Sequence, residues 1–187
     1  MQGDEQVMKT IQARFNLFAV ICIVLVTSLI YSNTLDNEFT NWDDLDLIVN
    51  NTSIRSLDLE NIKKIFTYRP GATYQPIRNF SYAIDYALGG LDTFWFHVHN
   101  LLLHVLAALL LYALLVKTLP RLCGWGSFAR GCVYPDLSPH MVAFAVALIF
   151  AVHPVNVESV TWLSSRKYVD LAVFSFLSFF LFVSASD

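Results

Sequence analysis

Charge is what this chain has least of. Only 14% of its 187 residues are Asp, Glu, Lys or Arg, against 56% hydrophobic residues and a mean hydropathy of +0.52. A soluble domain carries about a quarter charged residues, so this balance excludes an ordinary water-facing fold and points to an integral membrane protein. Cysteine is scarce too: Cys22 falls in an apolar run, and Cys123 and Cys132 have no C-x-x-C spacing. That reads as reduced structural thiols, with pairing of Cys123 and Cys132 left to the case of an inverted topology. No glycine-rich phosphate loop, nucleophile elbow, internal repeat or low-complexity tract is present. Basic excess is also missing. Residues 32–95 hold nine acids against five bases, which disfavours nucleic acid or an anionic lipid surface as their partner.

What is present is a set of apolar runs. Residues 15–31, FNLFAVICIVLVTSLIY, carry no charge and as a helix reach about 26 Å, close to one bilayer core. A signal peptide ends in small residues, whereas Leu29, Ile30 and Tyr31 close this run, which favours an uncleaved span. Residues 96–116 form a second span. The third, 139–153, opens on Ser138 and Pro139, a cap and a first-turn proline, and covers only about 21 Å before His153-Pro154. Its far end is expected at or below headgroup level. Residues 168–183 make a fourth. Lys9 and Arg14 precede the first span, and Lys117, Arg121 and Arg130 follow the second, so both segments are expected in the cytoplasm. The expected fold is therefore all-α integral membrane, with about four spans, both termini inside, a cytoplasmic segment 1–14, and a membrane domain over 15–187 with an extracytoplasmic loop at 32–95.

Within that loop, 56–66 has the spacing of a short amphipathic helix on the bilayer surface, 67–77 reads as a turn-rich connector, and 78–90 resumes helical spacing to stop at Gly89-Gly90. Three constellations could carry chemistry. The first is FTNWDDLDLIVNN, residues 39–51, where the adjacent Asp43 and Asp44 must diverge, so at most one can face a given atom, and where Trp42 can anchor at the interface. A solvated acidic turn is the plain alternative. The second is HPVNVESVTWLSSRK, residues 153–167. A helix opened by Pro154 would set Glu158, Trp162 and Arg166 along one stripe, and ionisable groups near a membrane are costly enough to be site candidates. A structural link or a headgroup contact is the plain reading there. The third is FHVHNLLLH, with His97, Asn100 and His104 on one helical face and His99 turned away. It lacks the spacing of a helical zinc site, and such histidines more often bond neighbouring helices.

Together with IFTYRP and YQPIRNFSYAIDYALGG, these blocks resemble the N-terminal part of the transmembrane O-mannosyltransferases with tetratricopeptide repeats, relatives of the cadherin-targeting enzymes within the GT-C group. The resemblance covers about residues 15–185. It implies an inverting transfer of a sugar from a polyprenyl-phosphate donor to a protein or glycan hydroxyl on the extracytoplasmic side. Asp43 or Asp44 would then be the base. Arg166, Lys167 and His153 would bind the donor phosphate, which explains cations on the outer side, and Glu158, Arg78 and Trp42 would position substrate. No metal ligand is assigned and no cofactor is firmly implied, though the resemblance leaves room for a divalent metal. The membrane would be a bacterial inner membrane or the endoplasmic reticulum. Two departures stand out: Tyr168 follows Arg166-Lys167 where the family has an acid or amide, the acid being displaced to Asp170, and family members continue through further spans and repeats. A non-catalytic membrane interaction subunit, or a truncated remnant of such an enzyme, is the alternative.

The sequons Asn50-Asn51-Thr52, Asn51-Thr52-Ser53 and Asn79-Phe80-Ser81 all lie in the large loop. Translation into eukaryotic microsomes is expected to glycosylate the chain. An unmodified, protease-accessible loop would place it in the cytoplasm.

Overall fold

The computed structural model describes residues 2–67, 74–124 and 138–186, and among them there are helices and no strands. The long helices are α1 (Gln2–Tyr31), α4 (Thr93–Gly124), α5 (Pro139–Val152) and α7 (Arg166–Ala185). The short ones are α2 (Leu59–Ile65), α3 (Pro76–Gly89) and α6 (Val157–Thr161). Three helices are long and apolar enough to cross a membrane, four if the broken pair Pro139–Val152 and Pro154–Thr161 makes one span. The protein is an all-α membrane protein, as expected. The expected connector at 67–77 lies largely outside the described residues, as does Cys132, and the Cys123 side chain is not described.

The chain forms two compact units. The first comprises Met1–Ile30, Val105–Pro154 and Ala172–Asp187. Its core is made of small residues: Ala143, Ala147 and Ala151 recur every fourth position along α5 and are fully buried with Ala19, Ile23 and Ala108. Bilayer tails are as apolar as leucine, so helices there associate by close backbone approach and by a few polar contacts. Asn16 supplies such a contact, its Oδ1 lying 2.8 Å from both the Tyr112 hydroxyl and His140 Nδ1. Leu17, Phe18, Leu25 and Leu29 of α1 remain exposed, as a lipid-facing surface requires.

The second unit comprises Tyr31–His104 and Val155–Leu171. Its core joins Ile48, Ile54, Ile65, Tyr82, Ala83, Phe96 and Leu163. Leu45–Val49 forms one π-helical turn, and Arg55 Nη2 donates to the freed carbonyls of Ile48 (3.1 Å) and Val49 while its guanidinium lies 4.5 Å from the Tyr86 ring centroid. The Asp58 carboxylate caps α2 by accepting from the Asn61 N–H at 2.8 Å. Helix α3 ends where the glycine pair predicted: Gly90, at φ 65°, donates its N–H to Tyr86 O at 2.8 Å.

One expectation fails. The helix expected from Pro154 through Arg166 breaks: Pro154–Asn156 is a 3-10 turn, α6 stops at Thr161, Trp162 is extended (φ −90°, ψ 114°), and Leu163–Ser165 is a second 3-10 turn. Glu158, Trp162 and Arg166 therefore share no helical stripe. Backbone groups freed by the break are taken by side chains from elsewhere in the unit. Tyr82 Oη donates to Leu163 O at 2.6 Å, Asn100 Nδ2 to Val160 O at 3.1 Å, and the Ser164 N–H donates to Asp44 Oδ1 at 3.0 Å. Tertiary hydrogen bonds outcompete the helical period here by giving the carbonyls of Val160 and Leu163 and the N–H of Ser164 partners outside the helix.

Gly89 marks a close approach. A Cβ there would lie 2.0 Å from Trp95 Cδ1 and 2.5 Å from Trp95 Nε1. Gly89→Ala is expected to cost about 1–3 kcal/mol by overpacking, read as a lower melting temperature in detergent. An unchanged melting temperature would mean that the indole swings aside freely.

Candidate functional site

The site is assembled wholly within the second unit, on the loop at 39–51, α3, the start of α4 and the broken segment 157–170. Asp43 and Asp44 diverge as adjacency requires. Asp43 is exposed, whereas Asp44 is 1% exposed and accepts from the Thr40 N–H at 2.9 Å, Thr40 Oγ1 at 2.8 Å, the Ser164 N–H at 3.0 Å and Ser164 Oγ. Four donors saturate that carboxylate and bind the acidic loop to the segment before α7. Trp162 Nε1 extends the chain by donating to Thr40 Oγ1 at 3.1 Å, and the Trp162 ring stands 6.2 Å from that of Trp42, itself 75% exposed.

Arg166 is the buried hub. With no exposed surface, it donates from Nε to Asn100 Oδ1 (2.5 Å), from Nη1 to Asp85 Oδ2 (2.5 Å) and Ser81 Oγ (2.9 Å), and from Nη2 to the Phe96 carbonyl (2.8 Å). Four of its five N–H donors are thereby engaged within the protein. The guanidinium also lies 4.6 Å from the Tyr82 ring centroid and 5.9 Å from that of Phe96. Asp85 in turn holds His99 Nδ1 at 2.6 Å.

The remaining candidates divide by exposure. Lys167 and Glu158 are exposed in this unit, with the Lys167 ammonium 5.1 Å from the Tyr168 ring. His153 is exposed in the first unit, at the C-terminal end of α5. Arg78 is 4% exposed, and burial lowers its guanidinium from the ordinary value. Burial likewise pushes the Tyr82 hydroxyl up to about 12, keeping it a donor to Leu163 O. His97, Asn100 and His104 form a buried face of α4, as their spacing implies, while His99 is part-buried on Asp85. Among the described residues no three His, Cys, Asp or Glu side chains gather as a metal cage.

Sequence reasoning missed Ser81, Asp85, Ser164 and Thr40. A signal for the first two was present. Arg78, Ser81, Tyr82 and Asp85 fall at i, i+3, i+4 and i+7 of α3, a polar stripe at the spacing of a core-facing one, and all four are buried.

No family model and no solved structure matches the chain. Curated proteins do. It is 27% identical over 176 residues to a protein O-mannosyl-transferase of Caenorhabditis elegans, covering 90% of this chain and 23% of that protein. It is 29% identical to the protein O-mannosyl-transferase Tmtc3 of Drosophila melanogaster (89% of this chain, 19% of that protein) and 32% identical to TMTC1 of Mus musculus (82% and 15%). Over most of its own length the chain is similar to proteins named protein O-mannosyl-transferases. It spans less than a quarter of the length of these relatives.

The hub makes a testable demand. Removing one partner of a buried ion pair costs about 3–5 kcal/mol, because the other charge is left uncompensated. Arg166→Leu and Asp85→Leu are each expected to destabilise by that order, and the double variant by clearly less than the sum. Additive losses in thermal unfolding would dissolve the pair as a unit.

Proposed function

We propose that this chain carries the acceptor-activating part of a glycosyltransferase that moves mannose from a polyprenyl-phosphate donor to a protein or glycan hydroxyl on the extracytoplasmic face. The observation carrying this reading is the division of labour between two adjacent carboxylates. Asp44 is saturated and buried, holding the loop, and Asp43 is presented to the outside beside Trp42. Asp43 is the general base. It takes the acceptor hydroxyl's proton as that oxygen forms its bond to the anomeric carbon, the bond from that carbon to the phosphate oxygen breaks, and the lipid phosphate leaves with the electron pair. Such a base contributes typically about 10²–10⁴-fold.

Lys167 is the direct cationic contact for the leaving phosphate, since its ammonium is exposed. Arg166 acts through position: its internal bonds fix the first turn of α7, from which Lys167 projects. The names of the relatives and the apolar helices support a membrane-embedded transferase.

Asp43→Asn is expected to lower transfer at least about 100-fold with an unchanged melting temperature, whereas Asp44→Asn lowers both. The assay follows transfer of radiolabelled mannose from the lipid donor to an acceptor polypeptide by the full-length protein. Full activity in Asp43→Asn would remove the base assignment.

A further inference from the structure

Among the described residues of the second unit, Arg78 and Asp170 are buried with a charged-group atom left unbonded, as are the Tyr31 hydroxyl and both ring nitrogens of His97. Arg78 is 4% exposed, its Nε makes no hydrogen bond, and its one side-chain bond is a 3.5 Å approach of Nη2 to Asn79 Oδ1. Asp170 is 9% exposed, and its Oδ2 accepts nothing among the described residues. The contrast with Arg166 and Asp85, bonded to each other at 2.5 Å in the same unit, is sharp. Arg78 and Asp170 flank that satisfied pair. Arg78 Cζ lies 5.7 Å from the centroid of the Tyr82 ring that also carries Arg166, and Asp170 follows Arg166 by one turn of α7.

The charges of both orphans narrow the missing partner. An anion would satisfy Arg78 and be repelled by Asp170, and a cation would do the reverse. A neutral group that accepts from a guanidinium and donates to a carboxylate satisfies both, and hydroxyls on a sugar ring have that property. Tyr82 Oη does not compete, being committed to Leu163 O.

We infer that Arg78 and Asp170 are a hydroxyl clamp for the sugar ring of the substrate, Arg78 donating to one oxygen and Asp170 accepting from a hydroxyl. The inference rests on the transferase reading above and adds Asp170 to it. The displaced acid after Arg166-Lys167 is then a sugar-recognition residue.

The test compares two lipids, polyprenyl-phosphate mannose and sugar-free polyprenyl-phosphate, binding to the full-length protein in nanodiscs. Wild type, Arg78→Lys, Arg78→Met and the isosteric Asp170→Asn are measured, each with its melting temperature. Wild type is expected to prefer the sugar-bearing lipid. Asp170→Asn and Arg78→Met are expected to lose about tenfold or more in affinity for it, the worth of a hydrogen bond to a charged group, while binding the sugar-free lipid unchanged. A preference retained in all variants overturns the clamp alone and leaves the pair holding water. Equal loss of both lipids also overturns it, as a phosphate contact or a folding role. Failure of wild type to bind either lipid overturns the transferase reading, and the clamp with it.

Discussion

The second unit is organised around a guanidinium that has no access to water. Burying Arg166 forfeits several kcal/mol of hydration, and that loss is tolerable only because Asp85 neutralises the charge and Ser81, Asn100 and the Phe96 carbonyl take further donors. These partners come from α3 and from the first turns of α4, and Arg166 itself begins α7. One side chain thus ties three helices to one another within the unit. Tyr82 and Phe96 stack around it, so the apolar core and the polar hub share the same residues.

A second constraint follows from Asp44. Its four accepted hydrogen bonds unite the acidic loop with Ser164, and Ser164 is available only because α6 ends at Thr161. The break before α7 is therefore the conformation that lets a loop carboxylate, a tyrosine hydroxyl and an asparagine amide reach the backbone of 160–164. With Asp44 occupied in this way, the chemistry proposed for the loop passes to Asp43, one residue away and exposed. Two identical side chains differ in exposure and bonding through environment alone.

The first unit rests on different physics. Apolar surface gives no net drive to association within lipid, so contact depends on the close approach allowed by Ala19, Ala108 and the alanine stripe of α5, and on the Asn16, Tyr112 and His140 bonds. Lys117 donates to Ser184 at 2.8 Å and rests 5.5 Å from the Phe180 ring, tying α4 to α7 there.

The sequence by itself determined the long apolar helices. Uninterrupted apolar runs, Ser138-Pro139 and Gly89-Gly90 mark where α1, α4, α5 and α3 start or stop, since these are local matters of hydropathy and backbone conformation. It also picked out Glu158 and Arg166 as ionisable residues costly near a membrane, while Asp43, Asp44 and Arg78 became candidates through the family resemblance, and the divergence of the two aspartates followed from adjacency. Only the tertiary structure decided that Asp44 and Arg166 are spent on internal bonds, that Asp85 is the counter-ion, and that Arg78 and Asp170 are left over. Those assignments depend on which donor meets which acceptor across separations such as 81 residues for Arg166 and Asp85 and 120 for Ser164 and Asp44. A helical period carries no record of such pairings, and the same long-range bonds overrode the period where it predicted one unbroken helix.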